Sequence, residues 1–139
     1  MTPGSILHDT QFRFSDGTLG NKLLIVLNDG QDGSYIFIKT TSKQKRKNKT
    51  PGCQRRDRPP NFFLPKGSCW FDLDTWAELS EFFEADLNSL LKKQLAKTLL
   101  HRDILPDGIV KDLLACAVSC DDITKLQEQR LTAILQSLP

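Results

Sequence analysis

With 139 residues, 39% of them hydrophobic and 26% charged, the chain can bury a core and is too apolar to stay unfolded throughout. Its apolar runs, such as Leu23 to Leu27, are far too short to span a bilayer. Net charge is only +2, so any affinity for a polyanion has to come from an uneven distribution of charge. The opening Met1-Thr2-Pro3-Gly4-Ser5 has neither the cationic start nor the apolar stretch of a signal peptide, and a cytoplasmic protein is expected.

The first half is punctuated like a small β-protein. Gly4 to His8 is a first strand, Asp16-Gly17 marks a turn, and Lys22 to Leu27 is a compact apolar run bounded by Gly20 and by Asn28-Asp29-Gly30, the pattern of a buried strand. Asp32-Gly33 turns the chain into Tyr35 to Lys39, so these two strands form a hairpin. Asn61 to Leu64 and Ser68 to Phe71 are further strand candidates around Pro65-Lys66-Gly67, and Asp74 to Leu79 is a last strand or a helical turn. Five or six short strands in this span point to a small barrel rather than a sandwich.

The second half changes period. Leu79, Phe82, Phe83, Leu87, Leu90, Leu91, Leu95 and Leu99 recur at three- and four-residue spacing, predicting an amphipathic helix capped near Ser80 and ended by Pro106. A second helix is expected over Asp107 to Ser119 and a third from Asp121 or Asp122. The chain thus reads as α+β: a barrel over residues 1–79, with a basic loop at 43–60, and a helical region over 80–139 packed on it. The four cysteines, Cys53, Cys69, Cys116 and Cys120, are too sparse for a secreted disulfide scaffold, and reduced thiols are expected. Cys116 and Cys120 share a helical face and would supply two zinc ligands if Cys53, Cys69 or His101 approached; the commoner role of such cysteines is core packing.

Charge is concentrated between Lys43 and Arg58, where Lys43, Lys45, Arg46, Lys47, Lys49, Arg55, Arg56 and Arg58 face one acid, Asp57. This segment follows the strand that ends Lys39-Thr40-Thr41. A cationic loop attached to hydroxyls suits a phosphodiester backbone, with the loop and Lys39 as nucleic-acid-binding residues; a solvated charge run is its bland alternative. Phe62, Phe63 and Trp70 are expected in the core, with stacking on bases the alternative. His8 and His101 are isolated and read as structural, and Asp72, Asp74, Asp121 and Asp122 read as capping residues.

The succession Gly4-Ser5-Ile6-Leu7, Gly20-Asn21-Lys22 through Asn28-Asp29, and Ile36-Phe37-Ile38-Lys39-Thr40-Thr41-Ser42 resembles the MazF/PemK family of toxin endoribonucleases over residues 4–79. The resemblance implies an SH3-like barrel, usually a homodimer, that cuts single-stranded RNA without metal or other cofactor and is neutralised by an antitoxin protein. Thr41 stands where that family has its catalytic hydroxyl, with Thr40 one residue out of register. Lys22-Leu23 stands where the family has Arg-Pro, and Ser5 where it commonly has Asp. Lys22 is therefore an electrostatic stabiliser or a general acid, while Arg55, Arg56 or Arg58 offers the bidentate phosphate contact that a lysine does not make. Two other classes stay open: a non-catalytic RNA- or DNA-binding module, and a protein-interaction domain.

Overall fold

The computed structural model describes residues 1–43 and 48–139. In chain order the elements are β1 (Ser5–Arg13), β2 (Leu19–Val26), β3 (Ser34–Thr41), β4 (Gly52–Gln54), β5 (Asn61–Leu64), β6 (Thr75–Glu78), β7 (Phe83–Asp86), α1 (Leu87–Leu95), β8 (Leu99–Ile104), α2 (Asp107–Val118) and α3 (Lys125–Ser137). The fold is α+β. Its eight strands run β4-β5-β6-β3-β2-β1-β8, with β7 also paired to β3, and every pairing is antiparallel.

The sheet is not closed into a barrel: among the described residues no pairing joins β4 to β8. It turns over at β3 instead. The first half of β3 pairs with β7 through Phe37↔Phe83, and its end pairs with β6 through Thr40↔Ala77. Five residues, Glu78 to Phe82, span on the partner strand what Ile38 and Lys39 span on β3, and such an irregularity bends and twists a sheet.

The expected hairpin of β2 and β3 is present, with Val26 opposite Phe37. Its loop is pinned by the buried Asn28, whose Nδ2 donates to the Ser34 carbonyl (2.9 Å) and whose Oδ1 accepts from Ile36 N–H (2.8 Å). Gly30, at φ +71°, lies against the Tyr35 ring, where a Cβ would come within 2.4 Å of Cζ; only glycine fits both the backbone and the ring.

Alternate residues of the central strands serve two cores, which explains their nearly unbroken apolar runs. Ile6, Ile25, Ile36 and Ile38 pack with Leu113, Leu114 and Leu131 of α2 and α3, while Leu7, Leu24, Val26 and Tyr35 pack with Leu90 of α1 and Leu99. The buried Asp9 ties β1 to α1 through Lys93 Nζ at 2.6 Å.

Of the helix expected from Ser80 towards Pro106, Leu87–Leu95 is helical, as α1, while β7 before it and β8 after it are strands. The leucine spacing fits both periods over so short a stretch, and β3 and β1 each offer an unpaired edge that a strand can satisfy. Asp86 caps α1 by accepting from Ser89 N–H at 2.7 Å. Ser68 to Phe71 is a turn rather than a strand, closed by Ser68 N–H and Oγ on the Pro65 carbonyl. The helix expected at Asp107 is α2, whereas α3 begins later than Asp122, at a capping box of Thr124 and Gln127.

Cys53 in β4 and Cys116 in α2 form a disulfide, contrary to the expected reduced thiols. They are 63 residues apart in sequence, so spacing gave no sign of the 5.5 Å between their Cα atoms. The bond also removes Cys53 and Cys116 from a zinc site, and among the described residues no group of three or more His, Cys, Asp or Glu side chains converges. No described helix is long and apolar enough to cross a membrane.

Candidate nucleic-acid cleft

A cleft of about 580 Å³ opens where β1, β2 and β3 meet the turn before β6. Its lining gathers Lys22, Thr40, Thr41 and Lys43 from the expected site, and adds His8, Asn21, Ser42, Trp70, Asp72 and Arg102. Lys43, Arg102 and His8 thus meet one carboxylate, Asp72, while Lys22, opposite Asp9 on β1, turns its side chain to the other face of the sheet from His8. That balance suits an anion.

The two threonines differ in what their hydroxyls do. Thr40 is buried and its Oγ1 donates to the Leu23 carbonyl at 2.9 Å, locking β3 to β2. Thr41 Oγ1 instead accepts from Lys43 N–H at 3.1 Å, a role that leaves its own hydrogen to donate to a ligand. Of the two, Thr41 has the chemistry for holding a phosphate oxygen.

Lys22 is half-buried on β2. Burial lowers its pKa from the usual lysine value, Glu78 on β6 opposes that by favouring the ammonium, and Lys39 reinforces it. A lysine so placed gives up its proton more readily than one in water. Beside it, Glu78 Oε2 and Asn61 Oδ1, on residues directly opposite each other in β6 and β5, are buried with no hydrogen-bond partner among the described residues.

His8 is held from both sides. Its Nε2 lies 3.0 Å from Asn21 Oδ1 and its Nδ1 lies 3.3 Å from Arg102 Nη2. A guanidinium only donates, so this contact assigns the lone pair to Nδ1 and the ring hydrogen to Nε2, pointing at Asn21. Neither residue was legible as functional. His8 stands alone in the sequence, and Arg102 sits within what reads as the end of a helix; only the pairing of β8 with β1 brings them together.

The cationic loop is divided. Lys43 reaches the cleft, but Arg55, Arg56 and Arg58 do not line it; Arg55 lies beside the disulfide, near Asp112 of α2. Lys49 pairs with Asp74 at 3.3 Å, and the Asn48 carbonyl accepts from Trp76 Nε1 at 3.0 Å, fixing this part of the loop against β6. Lys39 faces Glu81 and the Phe83 ring. Lys45, Arg46 and Lys47 lie outside the described residues. Phe62 and Phe63 are core, as expected, whereas Trp70 is 40% exposed on the cleft rim, braced edge-on by Phe71. Among the described residues lining the cleft, the guanidinium is that of Arg102 rather than one from the loop.

No protein-family model and no curated protein matches this chain. The likeness to the MazF/PemK family therefore rests on the short motifs alone.

Proposed function

We propose that the protein is an endoribonuclease of the toxin–antitoxin type, cleaving single-stranded RNA without metal, on an open sheet of SH3-like descent. The observation that carries this reading is the placement of Lys22, Thr41 and Lys43 where the end of β3 leaves β2, with Lys22 half-buried among other charges. Cleavage by the neighbouring 2′-hydroxyl needs a hydroxyl or cation to hold the phosphate, a proton donor for the departing 5′-oxygen, and charge to stabilise the phosphorane. Thr41 fits the first, Lys22 the second, and Lys43 the third. Trp70 and Leu73, both exposed on the rim, offer an apolar surface on which a base can stack. A homodimer and a protein inhibitor belong to the same proposal through the family resemblance.

Purified protein incubated with a long single-stranded RNA in EDTA is expected to give site-specific fragments ending in a cyclic phosphate and a 5′-hydroxyl. Thr41→Ala should slow the reaction about a hundredfold, the cost of losing one donor to a developing oxyanion. Intact RNA after prolonged incubation, with binding that weakens as salt rises, would support the non-catalytic module instead.

A further inference from the structure

We propose that the cleft on the His8 face of the sheet is a guanine-nucleotide subsite, which holds one base of the bound strand away from the bond that is cut. The subsite rests on the endoribonuclease reading for the source of its nucleotide, and takes no part in the chemistry assigned to Lys22 on the other face.

His8 lies opposite Leu23 on β2 and Leu100 on β8, and residues directly opposite in an antiparallel pair share a face. On that face His8 meets Asn21 through Nε2 at 3.0 Å and Arg102 through Nδ1 at 3.3 Å. The guanidinium is thus held at the cleft by a row built on three strands, as a pre-organised site requires. The turn before β6 adds Trp70, Asp72 and Leu73, and is tied down where Lys66 N–H donates to Asp74 Oδ1 at 2.9 Å. Trp70 is exposed while Phe71, edge-on to it at 5.5 Å, is buried, so the indole is an anchored platform with a free surface. A cleft of about 580 Å³ is of the size that takes a small molecule or one unit of a polymer.

Each part of a nucleotide has a complement here. Arg102 makes no ion pair among the described residues, and the N–H groups not spent on His8 form a planar fork that matches two phosphate oxygens. Trp70 offers a π-face, a contact open to every base. Asp72 supplies the choice between bases. It is the one carboxylate among the described lining residues, exposed and without an ion pair; for phosphate alone it would only weaken the cleft. A carboxylate accepts hydrogen bonds and does not donate them. Of the four RNA bases, guanine alone presents two parallel donors, N1–H and the N2 amine, on its Watson–Crick edge, and they match the two oxygens of Asp72.

The strand reaches this cleft over the end of β3, where Thr41, Ser42 and Lys43 follow one another and all line it. Successive residues of a strand point to opposite faces, so this short segment joins the face of Lys22 to that of His8. A backbone held along it leaves the scissile phosphate on one side and sends a neighbouring base to Trp70 on the other.

Three short 2′-deoxy strands, which cannot be cut by 2′-hydroxyl attack, test the subsite: all thymine, the same with one guanine, and the same with inosine, which lacks the N2 amine. Affinity for the full-length protein is read from the anisotropy of a dye on the strand, and contact with the cleft from Trp70 emission, Trp76 being buried. The guanine strand is expected to quench that emission and to bind about tenfold more tightly than the inosine strand, the worth of one hydrogen bond to a charged group. Trp70→Leu should weaken its binding about 5- to 150-fold. Arg102→Ala should reduce the slope of log affinity on log salt by about 0.7, the loss of one phosphate contact to a single strand. Asp72→Asn should bring guanine and inosine to within about twofold of each other while the thymine strand binds at least as well as before. Equal affinity for the three strands, unquenched Trp70 emission at saturation, or a guanine preference that survives Asp72→Asn overturns the subsite. Guanosine monophosphate binding as tightly as the guanine strand overturns the placement of a strand base there and makes the ligand a free nucleotide. Each of these outcomes leaves cleavage of RNA in EDTA untouched, whereas guanine-selective binding by a protein that leaves RNA whole overturns the endoribonuclease reading alone.

Discussion

At the scale of single residues, Lys22 shows how a sheet can make an ordinary side chain into an acid. Burial on β2 disfavours its ammonium while Glu78 partly restores it and Lys39 opposes it, so the proton is held less firmly than by a lysine in water, below the usual value of 10.5. If Lys22 protonates the leaving oxygen, the active form is the ammonium, and cleavage falls as pH rises through its lowered pKa. Lys22→Ala is expected to lose about a hundredfold in rate. Glu78→Gln removes the influence that favours the charged form, so the descending limb of the rate–pH profile should move to lower pH. A limb unmoved by that change would separate Glu78 from the proton donor. The neighbouring threonines make the complementary point: their types are adjacent in sequence, but only the pairing of β3 with β2 shows that Thr40 has spent its hydrogen on the Leu23 carbonyl.

At the scale of elements, the contacts between β1, α1 and β8 decide what the leucine pattern could not. The hairpin of β2 and β3 and the helix α2 were legible because turn glycines and a proline bracket them, and the short strand Asn61–Leu64 was legible in full. β8 was not: only Leu99 is buried in it, and Leu100 to Ile104 are partly or fully exposed, so it is an edge strand held by β1 rather than by its own periodicity. Missing it hid Arg102, and with it a cation of the candidate site. Likewise β4 is three residues within a stretch dominated by charge. The buried link between β1 and α1 has a measurable consequence. Asp9 is 3% exposed at its side chain and Lys93 39%; Lys93→Met leaves a carboxylate enclosed with Gln11 N–H as its remaining partner in the structure. The expected cost is about 3 kcal/mol, the low end for a broken buried pair because Lys93 keeps water contact. Urea unfolding should show it as a lower midpoint, and the double variant Asp9→Leu, Lys93→Met should recover most of the loss.

At the scale of the molecule, the Cys53–Cys116 bond joins the basic segment to the helices that cover the sheet, across 63 residues of chain. A cross-link of that separation restricts the unfolded chain by about 4 kcal/mol in the chain-entropy treatment. Cys120 lies four residues after Cys116, and burial, helped by Asp121 and Asp122, pushes its thiol up to about 11. It stays protonated at neutral pH and donates its Sγ–H to the Cys116 carbonyl at 3.3 Å; a thiol in that state is a poor nucleophile for exchange. The bond should therefore persist without scrambling until an external dithiol reaches Cys53, the exposed partner. Protein purified without reductant and then denatured should release two reactive thiols, those of Cys69 and Cys120, rather than four. Dithiothreitol should lower the unfolding midpoint of the wild type and leave that of Cys53→Ala unchanged. Because the bond anchors β4 rather than the cleft, the reduced protein should keep its affinity for RNA at temperatures where both forms are folded. A parallel loss of RNA binding and stability on reduction would instead make the basic segment part of the binding surface.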